Sequence, residues 1–181
     1  VIPDISISLS DKSRKLMESV WDGQARARCL NAIAEEMDLQ NADTISFIQR
    51  EFLSFPKDRP TTTEGLRVIS NSLRRALFAT PAVVNNEEVS SVIGNNVRAK
   101  GGVNYALVHE FGGMTPPREI RPREKKVLKF MVGGRTVFAK KVKHPGAIIP
   151  ERAPVRRGIA ACLPKYTRRI ESAIHRTLEP R

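Results

Sequence analysis

At 181 residues, 40% hydrophobic and 28% charged, the chain has the size and composition of one folded domain rather than a disordered segment. A single Trp21 and 6% aromatic residues leave little for a base-stacking platform, and no apolar run approaches the ~18 residues of a membrane span. The net charge of +12 is unevenly placed: residues 1–97 hold 11 basic and 13 acidic groups, and residues 98–181 hold 20 and 6. Charge concentrated in one half points to contact with nucleic acid or an acidic protein surface; the plain alternative is a solvated basic face.

Residues 2–9 alternate, with Ile5, Ile7 and Leu9 against Ser6 and Ser8, which predicts a half-buried strand. Ser10 or Asp11 can cap a helix face marked by Leu16, Met17, Val20 and Trp21, with Gly23 as a break or bend. Cys29, Ile33 and Met37 then recur at four-residue spacing, and Ile45, Ile48 and Phe52 continue the stripe past the polar run Gln40–Thr44. The pattern fits one helix over 25–54 or two joined near Asn41; a single 30-residue helix would span roughly 45 Å. No signal-peptide pattern opens the chain. Cys29 and Cys162 are far apart in amphipathic contexts and read as reduced core residues made in a reducing cytoplasm.

Residues 55–65 read as a loop. Leu66, Ile69, Leu73 and Leu77 have helical spacing, but Val68 and Phe78 leave 66–79 ambiguous before Pro81. Val83–Val84 and Val89–Ile93 resemble two strands around Asn85-Asn86, closing at Gly94-Asn95-Asn96, with a basic loop at 98–102. In N-Y-A-L-V-H-E-F-G-G (104–113), Leu107, Val108 and Phe111 share one helix face, Tyr105 flanks it, and Gly112-Gly113 supply a stop. Residues 114–124 hold Pro116, Pro117 and Pro122, which deny ladder hydrogen bonds and predict an extended arm. V-L-K-F-M-V-G-G-R-T-V-F-A-K-K-V is the clearest hairpin. A Gly133-Gly134 primed turn sets Leu128, Phe130 and Val132 across from Ala139, Val137 and Arg135. The opposite face, with Lys129, Met131, Phe138 and Lys140, is mixed and predicted to be partly exposed. Residues 143–154 form another Pro-rich loop. A terminal helix over 155–178 carries Ile159, Cys162, Leu163, Ile170, Ile174 and Leu178 on its apolar side, bent or interrupted at Pro164. The fold class is therefore α+β: a small, mostly antiparallel sheet with a β-hairpin, flanked by long N-terminal and C-terminal helices. We read residues 1–181 as one domain with arms at about 55–65, 114–124 and 143–154, ordered against neighbouring subunits.

Catalytic chemistry finds no footing in these residues. His109 and Glu110 are adjacent, so on a helix they point about 100° apart, and no H-E-x-x-H or paired-cysteine metal spacing accompanies them. The bland reading gives them packing and a local hydrogen bond. His144-Pro145-Gly146 reads as a turn, and His175 lies among arginines on a solvated face. Gly94–Gly102 lacks the order of a phosphate-binding loop. We assign no catalytic residue, metal or cofactor. Candidate partner or DNA contacts are Arg118, Arg121, Arg123, Lys125 and Lys126 on one arm, and Lys140, Lys141 and Lys143 after the hairpin. Without a zinc finger, RNA-recognition signature or bZIP region, contact with DNA would be independent of sequence.

The order Y-A-L-V-H-E-F-G-G, Pro/Arg arm, glycine hairpin, K-H-P-G and terminal helix resembles the tail-completion, or virion-morphogenesis, family of minor tail and neck proteins of tailed phages. The match rests on Tyr105, Ala106, Glu110, Phe111, Gly112, Phe130, Phe138, Ala139, His144, Pro145 and Gly146 and covers about 104–146. T-E-G-L-R at 63–67 resembles a further family segment, with Glu64 inserted. The resemblance implies a non-enzymatic structural protein of the virion head–tail junction, assembled as a ring, commonly of six copies, between head-completion proteins and the tail terminator or tube. No membrane partner is assigned, because no apolar run is long enough to span a bilayer. The second reading, taken from charge alone, is a sequence-independent DNA-binding protein using the basic half.

Overall fold

The computed structural model describes residues 22–55, 65–66, 71–86, 88–98 and 104–178, together with Asp11, Lys15 and Glu18. The expected strand over 2–9, the face Leu16–Trp21, most of the 55–65 loop and most of the 98–102 loop lie outside the described residues. Helix α1 runs Gly23–Glu51 without interruption, so the single-helix alternative holds. Asp22 caps it, its carboxylate accepting from Gln24 N at 2.9 Å. Its buried stripe is half polar: Cys29, Leu30, Ile33 and Ile48 alternate with Glu36, Gln40, Asn41 and Thr44.

That polar content is explained by the C-terminal helix, which spans Pro154–Leu178 and lies antiparallel against α1. Ile48 meets Gly158, Asn41 meets Tyr166 and Glu36 meets Arg169. Two apolar clusters anchor the ends of the pair. One joins Ile48, Val155 and Ile159 to Leu53, Leu77 and Ile93; the other joins Ile33 to Tyr166, Ile170 and Ile174. Between them Glu36, Gln40 and Asn41 find polar partners, while the buried Thr44 hydroxyl has no hydrogen-bond partner among the described residues. Tyr166 donates to Asn41 Oδ1, Asn41 donates to Ser91 Oγ at 2.9 Å, and Gln40 donates to Glu36 at 2.8 Å. The Glu36 carboxylate takes Arg169 Nε at 2.6 Å. Burial pushes the Tyr166 phenol well up, so it is a donor throughout the physiological range. Of the bend or interruption expected at Pro164, the interruption does not occur, since the helix runs through the proline. It sits on the exposed side, while Ile159 before it and Tyr166 and Ile170 after it are buried. Packing on both sides of the proline offsets the missing hydrogen bond.

Between the long helices come a short helix α2 (Ser72–Arg75) and four strands: β1 (Leu77–Ala79), β2 (Val83–Asn85), β3 (Glu88–Ser90) and β4 (Ile93–Asn95). β1 pairs antiparallel with β4, and β2 with β3 nested inside them. Thr80 and Val92 bridge the two ladders through Thr80 N to Val92 O and Val92 N to Thr80 Oγ1, both 2.9 Å. Residues 77–79 are thus strand rather than helix. Gly94-Asn95 belongs to a strand rather than a closing turn, because Ile93–Asn95 returns to pair with 77–79.

After the third helix, α3 (Tyr105–Phe111), the chain forms β5 (Gly113–Thr115), β6 (Arg118–Ile120), β7 (Leu128–Val132), β8 (Arg135–Ala139), β9 (Val142–His144) and β10 (Ala147–Ile149). β5 pairs with β10, β6 with β9 and β7 with β8, all antiparallel. The turn at Gly133 (φ 55°) and Gly134 (φ 80°) and the register Leu128↔Ala139, Phe130↔Val137 and Val132↔Arg135 agree with the sequence reading. The two Pro-rich arms do not. Residues 114–124 and 143–154 are not separate arms, because 113–120 ladders with 142–149. The prolines fall in the gaps: Pro116-Pro117 between β5 and β6, and Pro145 between β9 and β10. Each proline withholds its own N–H and leaves the flanking ladders intact. The fold is α+β, and among the described residues every sheet is a two-stranded antiparallel pair.

Candidate functional site

The long ribbon 113–149 is held at its base by α3 and the start of the terminal helix, named α4 from here. Asn104 caps α3, its Oδ1 accepting from Ala106 N at 3.1 Å and Leu107 N at 3.4 Å. The expected apolar face of Leu107, Val108 and Phe111 is not the buried one. Leu107 and Phe111 are 38% and 44% exposed, whereas Ala106 and Glu110 are buried. Glu110 is drawn inward by the open N-terminus of α4. The residue before that helix is Ala153, at φ 46°, with no side chain able to cap, and its first residue is Pro154. Glu110 caps it from outside, accepting from Val155 N at 3.0 Å, Arg156 N at 2.9 Å and Arg156 Nε at 3.2 Å. A carboxylate there meets both the orphan N–H groups and the positive end of the helix dipole.

His109 completes the clamp. Its carbonyl accepts from Arg152 N at 3.0 Å and Ala153 N at 3.2 Å. Its Nδ1 lies 3.1 Å from the Arg152 guanidinium, which also donates to Pro150 O at 3.2 Å. Burial, and then the Arg152 charge, hold the imidazole below its ordinary range, so Nδ1 is an acceptor. Arg156 lies 4.8 Å from the Phe111 ring centroid and pairs with Glu151 at 2.6 Å, which, with Glu110, raises its pKa. The adjacent pair His109–Glu110 therefore serves packing and hydrogen bonding as the bland reading had it, but to residues more than 40 positions away. Sequence reasoning missed Arg152, Arg156 and the capping role of Glu110. The available signal was a helix start at Pro154 with no capping residue of its own.

Beyond the clamp the ribbon is open to solvent. From Gly113 to Ile149 no residue is buried. The eight sequence-predicted contacts Arg118, Arg121, Arg123, Lys125, Lys126, Lys140, Lys141 and Lys143 are all exposed on it. Arg121 and Lys141 converge on Glu119, at 2.6 and 3.4 Å, and lower its pKa, Arg121 the more strongly. Counting Lys129 and Arg135, the ribbon holds ten basic groups against Glu119 and Glu124. Large apolar side chains stand among them: Met114 is 72% exposed, Met131 71%, Phe138 62% and Ile148 84%. Leu128, Phe130 and Val132 lie on the face opposite Met131 and Phe138, so both faces near the tip are apolar. An isolated two-stranded ribbon is marginal in water, and this one exposes large apolar side chains among its basic groups.

The residues carrying the phage-family resemblance divide between clamp and ribbon. Tyr105 is half-buried, edge-on to His109 at 6.3 Å, with Ala106, Glu110, Phe111 and Gly112 around the clamp. Phe130, Phe138, His144, Pro145 and Gly146 lie along the ribbon. His144 Nδ1 accepts from Gly146 N at 3.0 Å. Gly146 sits at φ 92°, where a Cβ would collide with the Thr115 carbonyl oxygen, so this step needs glycine.

Both cysteines are free thiols, Cys29 buried and Cys162 half-buried, and burial raises the Cys29 thiol. His175 is half-buried rather than solvated. Among the described residues no cluster of three or more His, Cys, Asp or Glu could hold a metal ion. An open groove of about 880 Å3 between α1 and the end of α4 is lined by Arg28, Glu35, Glu36, Arg169 and Arg176 among smaller residues. Among the described residues no helix is long and apolar enough to cross a membrane. Comparison of the chain with protein-family models, with curated proteins and with solved structures gives no match in any of the three.

Proposed function

We propose that this chain is a structural protein of the head–tail junction of a tailed phage, a tail-completion or neck protein that works by assembly. In this reading it forms a ring, contacts head-completion proteins and the tail terminator or tube, and resides in the virion. The observation that carries the proposal is the 37-residue ribbon from Gly113 to Ile149, which has no buried residue of its own and interleaves basic and apolar side chains. Such a ribbon gains order and buried area by lying on another subunit. The residues behind the family resemblance fall on this ribbon and its clamp, which supports the same reading. The test is electron microscopy of tailed particles labelled with antibody raised against the chain. Label at the junction is expected; particles without label there refute the proposal.

The ribbon charge favours one competing reading, non-specific DNA binding. That reading predicts duplex affinity at physiological salt with a steep salt slope. It also predicts indifference to polar substitution of Met131, Phe138 and Ile148, which phosphate contact does not use. Assembly predicts the opposite on both counts.

A further inference from the structure

The ribbon 77–95 offers a second solvent-facing apolar surface, and its faces are unlike. Leu77 and Ile93 are buried in the cluster against α1 and α4, Val89 packs on the other cluster, and Ser91 bonds Asn41. Alternation sends Ser90, Val92 and Gly94 the other way. Pairing places Val83 opposite Ser90 and Phe78 opposite Gly94 on that outer side, with Thr80 bonded to Val92. The outer face thus carries Phe78, Val92 and Val83, which are 38%, 47% and 58% exposed. A sheet with one face on a core normally turns polar side chains to water. Here three large apolar side chains stand on the solvent face beside Thr80 and Ser90, and at its turn end stand Asn85 and exposed Glu88. Residues 77–95 carry two acidic groups, Glu87 and Glu88, and no Lys or Arg.

The long ribbon is the counterpart in both respects: apolar side chains at Met131 and Phe138, and ten basic groups against two acidic. We propose that the 113–149 ribbon of one copy lies on the Phe78–Val92–Val83 strip of a second copy, its basic groups toward Glu88. The proposal rests on the assembly function above and names the surfaces that meet. Because the two surfaces differ, the contact is head-to-tail; it repeats until a ring closes. DNA would answer the ribbon's charge but leave both apolar surfaces in water, so a second copy is the better occupant.

The test uses the full chain. Phe138→Cys and Val83→Cys are made separately in a Cys162→Ser background, mixed and oxidised. The expected product is a heterodimer linking F138C to V83C. In sedimentation, Val83→Ser is expected to weaken self-association about tenfold, the loss of one buried valine contact, with thermal unfolding at low concentration unchanged. Self-association that links F138C only to F138C, or that ignores V83S, overturns this inference and leaves the junction function standing. A monomer that still labels the junction does the same. A monomer absent from all particles overturns both.

Discussion

Glu110 is the side chain on which the ribbon's attachment turns, and replacing it isolates that role. Glu110→Ala removes three hydrogen bonds made by one carboxylate, to Val155 N, Arg156 N and Arg156 Nε. It leaves Val155, which is 6% exposed, with an N–H that water does not reach. Bonds to a charged group are worth about 1.5–3 kcal/mol each, and losing one member of a buried pair costs about 3–5 kcal/mol. The three share one acceptor group, and the Arg156 side chain, 33% exposed, retains Glu151, so the lower end applies. We expect about 3 kcal/mol for Glu110→Ala and about half that for Glu110→Gln, which keeps one acceptor oxygen. Urea unfolding followed by circular dichroism checks this. At a slope of about 2 kcal/mol/M the alanine variant's midpoint falls by roughly 1.5 M with the slope unchanged. An alanine variant within about 0.5 kcal/mol of the parent would mean that α4 is capped by something else and that the clamp is incidental.

Three further outcomes follow from other contacts. Gly158→Ala sets a Cβ against Cγ1 of the fully buried Ile48 side chain and is expected to cost about 1–3 kcal/mol in urea unfolding; the double variant with Ile48→Ala, which removes Cγ1 and Cδ1, costs less than the sum of the two single changes, a coupling absent if the helices simply move apart. His109 has a folded-state pKa below 6.5, so the unfolded chain binds the extra proton first. Stability is therefore full above pH 6.5 and falls as pH drops through the folded value, and His109→Gln flattens that limb of the urea-midpoint profile. Gly146→Val, at φ 92° and against the Thr115 oxygen, is expected to open the β5–β10 and β6–β9 ladders. Hydrogen exchange should then speed up in 113–120 and 142–149 while α1 and α4 stay protected.

Features set by neighbours in the chain were legible in the sequence. The four-residue spacing of Cys29, Ile33 and Met37 is a property of one helix, and Gly133-Gly134 between alternating apolar residues specifies its own turn and register. The α+β class followed from such local signals. What only the tertiary structure decided is which distant segments answer one another. Prolines 116, 117 and 145 look like breakers until 113–120 meets 142–149 and each falls in a gap between ladders. The face of α3 was read from hydrophobicity as Leu107, Val108 and Phe111, yet Glu110 is buried because a helix beginning 44 residues later lacks a cap. Periodicity records the preference of a side chain for water. It does not record the demand of an unpaired N–H elsewhere in the fold, and that demand outweighs the cost of burying a carboxylate when two amides and a guanidinium converge on it.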